Sequence, residues 1–120
     1  MKKVAFFDLF SGCGGAAEGA LQAGAVVPLS VDCWDDANAV HQENHPQTTV
    51  VNIELGIDPD YELRLLKGQF RLWRSRGYHI HLHGSPPCQD LSQANTKGNR
   101  EDGMKLVYHY LWLVKKSKPD

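Results

Sequence analysis

Residues Val4 to Leu9 are apolar except for Asp8, and directly after them the chain turns through Ser11-Gly12-Cys13-Gly14-Gly15. A strand that is apolar on both faces must be covered on both faces, which places it inside a parallel sheet flanked by helices. Glycines just past such a strand let the backbone bend sharply into a helix N-terminus. The alternation then continues along the chain. The pattern predicts a helix over 16–23 stopped by Gly24, and a strand from Val26 to Val31 closed by Asp32. A helix from Asp35 to Asn44 carries acids in its first turn, and Pro46 lies just beyond its end. Thr48 to Ile53 reads as a β-branched strand. Residues 61–76 read as an amphipathic helix with Leu63, Leu66, Phe70 and Trp73 on one face. A strand over 78–83, a loop over 86–101 and a helix from Gly103 to about Ser117 complete the series. Strand and helix in strict alternation predict an α/β fold, a doubly wound Rossmann-like parallel sheet. The chain ends at Lys118-Pro119-Asp120, where a further strand is expected, so the sheet is read as truncated after about four strands. Residues 78–83 would then keep an unpaired edge, and the chain alone is expected to be marginally stable or to dimerise through it.

Composition bounds the class. At 120 residues, 42% hydrophobic and 22% charged, the chain has the make-up of one soluble globular domain. A formal charge of −1 neither requires nor forbids a nucleic-acid partner. Cys13, Cys33 and Cys88 are odd in number and form no CxxC pair, which argues against a disulfide framework or structural zinc and for a reducing compartment. The basic, apolar start resembles a signal peptide until Asp8 and the glycines interrupt it. No segment reaches membrane-spanning length, so an intracellular location is expected, in a prokaryotic cytoplasm or a nucleus.

Two segments carry chemistry. In the glycine turn, free N–H groups at a helix start invite a ligand, and Asp32 follows at the spacing of an acid that binds ribose hydroxyls. Gly12-x-Gly14-x-x-Ala17 also satisfies the dinucleotide fingerprint, so a nicotinamide cofactor stays open beside an adenosine-type methyl donor. Asp8 would repel a pyrophosphate and suits an ammonium or sulfonium group, which favours S-adenosylmethionine. The second segment, Gly84-Ser85-Pro86-Pro87-Cys88-Gln89-Asp90-Leu91-Ser92, places a cysteine just past the end of a strand on a proline-stiffened bend. In open α/β sheets ligands bind at that end, making Cys88 a candidate nucleophile, with a small inert cysteine as the plainer alternative. His79, His81 and His83 share one strand face and read as polar residues on a half-covered surface, with no metal assigned. Arg64, Lys67, Arg71 and Arg74 form a basic stripe read as a solvated helix face, while Trp73 and Trp112 read as core.

Taken together, these segments resemble the N-terminal part of the catalytic domain of the DNA cytosine-5 methyltransferase family. Asp8, Phe10, Ser11, Gly12, Cys13, Gly14 and Gly15 resemble its first motif, which wraps the methionine part of the cofactor. Asp32 stands where the family usually has a ribose-binding Glu, with Cys33 and Trp34 beside it. Asn52 and Ile53, with Gly84 and Pro86, are the further cofactor-binding positions implied. Cys88 is the implied nucleophile, flanked by Pro87 and Gln89, and Ser92, Lys97 and Arg100 are candidates for DNA contact. The implied cofactor is S-adenosylmethionine and the implied partner is double-stranded DNA with its target base flipped out. Departures are present: Asn52 replaces an Asp that usually accepts from the adenine amino group, Ala16 replaces an aromatic, and residues 100–106 match the next motif loosely. The family's Glu-Asn-Val motif, Arg motif and target-recognition region would lie beyond Asp120, so residues 1–120 are expected to be incomplete or inactive alone, with a complementing chain as a possible partner. A non-catalytic module that holds S-adenosylmethionine is the alternative, and a NAD-binding domain the more distant one.

Overall fold

The structure is a computed structural model and describes residues 2–87 and 100–120. Its elements follow the predicted order: β1 (Lys3–Leu9), α1 (Gly15–Gln22), β2 (Val26–Asp32), α2 (Asp35–Asn44), β3 (Thr49–Asn52), α3 (Pro59–Ser75), β4 (Tyr78–Gly84) and α4 (Arg100–Ser117). All strand pairs are parallel and the order across the sheet is β3-β2-β1-β4. The chain therefore steps outward from β1 to β3, then crosses back to place β4 on the far side of β1. α1 and α2 lie over one face, joined by His45 and Glu18, and α3 with α4 covers the other, over the apolar core.

Residue parity along β1 sorts the two faces. Ala5, Phe7 and Leu9 are buried with Leu29, Val31, Ile80, Leu66, Phe70 and Leu113, which is the apolar core under α3 and α4. Phe7 and Phe70 meet edge to face, 5.0 Å between centroids. Each such side chain contributes about 1.5–3 kcal/mol by leaving water. Phe6 and Asp8 point the other way, with Ser30 of β2 and His83 of β4 as register neighbours of Asp8. That face is polar where the strands end.

Two features of α3 differ from the reading by periodicity. The helix starts at Pro59, because Asp58 caps it by accepting from Tyr61 N at 3.2 Å and Pro59 fits its first turn. Its buried face includes Glu62, only 1% exposed. This carboxylate accepts from the backbone N–H of Gly56 (3.0 Å) and Asp58 (3.2 Å) and from His109 Nε2 of α4 (2.6 Å). It thereby ties the β3–α3 turn to α4. Trp73 and Trp112 are half-buried at the rim of the core rather than inside it. In the basic stripe, Arg74 is engaged, donating to Lys118 O and to Asp120 Oδ1. Asp120 in turn accepts from Ile80 N (2.8 Å) and donates its own N–H to Ile80 O (3.0 Å), bridging the outer edge of β4 at one residue.

Candidate cofactor and nucleophile site

The order β3-β2-β1-β4 changes direction between β1 and β4, and open α/β sheets form their ligand crevice outside the strand ends at such a point. The glycine turn and the described start of the second motif, residues 84–87, lie there. Phe10 follows β1 with φ 59°, Gly12 with 56° and Gly14 with 96°, so the turn uses three left-handed residues before α1 begins. Its shape is held by Ser11 N donating to Val31 O (3.1 Å) and Gly14 N donating to Ser11 O (3.1 Å). Gly14 has a second constraint. A Cβ there would lie 2.5 Å from His41 Nδ1, because the imidazole packs directly against its backbone.

Asp32 closes the turn from β2. Its Oδ2 accepts from Gly12 N at 2.8 Å and its Oδ1 from Trp34 N at 3.0 Å, so the acid first serves as a clamp between the two loops. Each oxygen keeps a second lone pair for a ligand diol. Trp34, at the N-cap of α2, is 61% exposed and presents an open indole beside it. Ile53 N donates to Asp32 O at 3.1 Å, drawing the end of β3 to the same place. Asn52 is oriented by its neighbours: its amide oxygen accepts from Asn38 Nδ2 at 3.2 Å, and its amide nitrogen donates to Asp35 Oδ1. The charged acceptor at this edge is therefore Asp35. Cys13 and Cys33 are free and exposed, and partial burial together with the carboxylates of Asp32 and Glu54 pushes the Cys33 thiol up, away from thiolate.

Asp8 lies at the centre, 1% exposed. Burial pushes its pKa up, an effect that His83 opposes by donating from Nδ1 to Oδ1 at 3.0 Å. Among the described residues, its Oδ2 and the Ser11 hydroxyl are buried without a hydrogen-bond partner. Buried polar atoms left unpaired beside a glycine turn suit a ligand that supplies donors, and an ammonium group is one. A pyrophosphate offers only acceptors.

The second motif is fastened to the first. Ser85 N donates to Leu9 O at 3.3 Å and Ser85 Oγ to Phe10 O at 3.1 Å, so the chain leaving β4 runs against the glycine turn. Gly84 is required for another reason. A Cβ on it would lie 2.1 Å from Cε2 of Tyr110, whose ring covers the end of β4 from α4. Burial, reinforced by the Asp8 charge, pushes the Tyr110 phenol up. Pro86 and Pro87 follow, half-buried and exposed respectively. Cys88, Gln89, Ser92 and Lys97 lie outside the described residues, and Arg100 opens α4 with its side chain outside them. His79, His81 and His83 do not converge: His81 and His83 stack on Phe6, while His79 lies 3.9 Å from Asp120.

Tyr110, Glu62, His109 and the pair His41–His45 were missed as site-shaping residues. Only the i, i+4 spacing of the last pair on α2 was visible as a signal.

Comparison with known proteins agrees with this geometry. Residues 4–120 match the C-5 cytosine-specific DNA methylase family. The chain is 36% identical over 109 residues to the type II methyltransferase M.HgiGI of Herpetosiphon aurantiacus, covering 90% of this chain and 75% of that protein. It is 37% identical over 105 residues to mouse DNA (cytosine-5)-methyltransferase 1, covering 83% of this chain and 6% of the mouse protein. The crystal structure of a prophage-encoded DNA modification methyltransferase (E. coli) superposes with a TM-score of 0.72 at 28% identity, over 98% of this chain and 30% of that one. The chain thus spans most of one relative and a minor part of the others. With a family match that begins in β1 and runs to Asp120, and a relative 36% identical that it covers to 75%, this chain belongs to the C-5 cytosine-specific DNA methylase family.

Proposed function

We propose that this chain forms the cofactor- and nucleophile-bearing N-terminal part of a DNA cytosine-5 methyltransferase. The observation that carries the reading is the Ser85 tie, which joins two motifs 75 residues apart at one crevice. Asp8, Ser11 and the turn Gly12–Gly15 would hold the methionine end of S-adenosylmethionine, Asp32 the ribose, and Trp34, Ile53 and the Asn52–Asp35 edge the adenine. The bound cofactor supplies an electrophilic methyl group. The protein's own part is nucleophilic catalysis. Cys88, as thiolate, adds to C6 of cytosine and raises the electron density at C5, which would then take the methyl group; with C5 methylated, loss of the C5 proton and expulsion of the thiolate from C6 restore the ring and the free cysteine. The base must leave the duplex to reach this position. Lys97, Arg100 and Ser92 are proposed to contact the DNA backbone, which positions without reading sequence. A Glu motif and target-recognition region would come from outside residues 1–120.

The test is covalent trapping on duplex DNA containing 5-fluorocytosine, with S-adenosylmethionine present. A denaturation-resistant adduct is expected with the wild-type chain supplied with the missing motifs, and none with Cys88→Ser. An adduct of equal yield in Cys88→Ser would refute Cys88 as the nucleophile. Binding of S-adenosylhomocysteine with no adduct under any of these conditions would instead support a non-catalytic cofactor-binding module.

A further inference from the structure

On the face of the sheet away from the apolar core, four side chains form a continuous hydrogen-bonded chain that the proposed reaction does not use. Ser30 Oγ lies 2.8 Å from His41 Nε2, His41 Nδ1 lies 2.7 Å from His45 Nδ1, and His45 Nε2 lies 2.8 Å from Glu18 Oε2. Ser30 and His41 are fully buried and His45 nearly so, whereas the Glu18 carboxylate is half in solvent. With neutral imidazoles every group has one role. The serine hydroxyl donates to His41 Nε2, His41 Nδ1–H donates to His45 Nδ1, and His45 Nε2–H donates to Glu18. One further proton can be accommodated if the hydroxyl turns to accept. A second cannot, because it would set N–H against N–H along the Nδ1–Nδ1 axis.

This chain meets the glycine turn where the His41 ring packs against Gly14. Glu18 lies on the helix that Gly14 caps, and Gly14 O accepts from Glu18 N at 2.9 Å. The groups facing His41 are Ser30 of β2, His45 of its own helix, the Asp8 carboxylate of β1, and through His45 the Glu18 carboxylate of α1. Burial holds His41 below the ordinary histidine range, and its contact with His45 adds to this. Its neutral form is therefore the one that burial favours. The sign follows: stability from a histidine with a lowered folded-state pKa is present above the unfolded value of about 6.5 and is lost as pH falls below it.

We propose that His41 is a positioning residue for the methyl-donor turn, and that the Ser30–His41–His45–Glu18 chain makes cofactor affinity proton-dependent by carrying its protonation state to Gly14. The proposal rests on the cofactor reading above, and it is tested so that the two can fail separately. Calorimetric titration of S-adenosylhomocysteine from pH 8 to pH 5 is expected to show constant affinity above about pH 7 and at least a tenfold loss by pH 5. Glu18→Gln keeps an acceptor for His45 but removes the charge that favours the extra protons. Its acid midpoint should therefore move down by about half a pH unit, with unchanged affinity at pH 8. The variant would bind more tightly than wild type at pH 5.5, which loss of a merely structural contact would not produce. In the ligand-free protein the amide resonances of Gly14 and Gly15 should move with the same midpoints. Amides that stay fixed while His41 titrates, or equal midpoints in the two proteins, would overturn the proposal. Absence of S-adenosylhomocysteine binding at every pH would overturn the cofactor reading and leave the amide titration to judge the relay.

Discussion

Gly14→Ala is expected to remove a large part of the domain's stability margin and to weaken cofactor binding with it. Two costs add at this position. The φ of 96° lies outside what L-residues adopt comfortably, at about 1–2 kcal/mol or more. The new methyl would also stand 2.5–2.9 Å from three atoms of the His41 ring. That ring cannot retreat, since Ser30 and His45 hold both of its nitrogens, so overpacking adds roughly 1–3 kcal/mol. Against a total stability of about 5–15 kcal/mol for a small domain, the sum lowers the melting temperature by about 10 °C or more. Gly15→Ala is the control, because its Cβ would meet nothing within 4 Å and its φ is not left-handed. Thermal melts of the two variants should differ sharply. Equal melting temperatures would mean that the imidazole does not pack on the turn.

Gly84→Ala should act at the other wall of the crevice. Its Cβ would fall 2.1–2.6 Å from three atoms of the Tyr110 ring, although its backbone is unstrained. The ring must swing and α4 with it, at a cost of about 1–3 kcal/mol, loosening the Ser85 ties that follow. Because the clash is with one ring, the double variant Gly84→Ala/Tyr110→Ala should be less destabilised than the two single changes summed, with a coupling of at least about 1 kcal/mol. Simple additivity by chemical denaturation would show that Tyr110 does not cover the strand end.

What the sequence made legible follows from how directly each feature is local. The four strands are legible in the sequence to within a residue or two, because β1, β2 and β4 carry dense apolar runs or alternation and each helix has a stop signal. The Asp58-Pro59 cap of α3 was present in the sequence but the reading followed the apolar stripe, which starts later. Glu62 could not be read as buried: its partner His109 lies 47 residues away, and only the packing of α3 against α4 brings them together. Asp32 was read as a ligand-binding acid, yet its carboxylate also holds the backbone of Gly12 and Trp34, a role set by the β1–β2 register. The same register puts Ser30 beside Asp8 and lets α2 lay His41 under the turn. Chemistry was visible as motifs, whereas the contacts that shape those motifs come from pairings across the sheet.

A methyl-donor nucleoside is proposed to occupy the crevice between the glycine turn and the end of β4. Calorimetric titration of the chain with S-adenosylhomocysteine and, separately, with NAD tests it most directly. One S-adenosylhomocysteine per chain with no heat from NAD is the predicted result. Saturable NAD binding with no response to S-adenosylhomocysteine would contradict it.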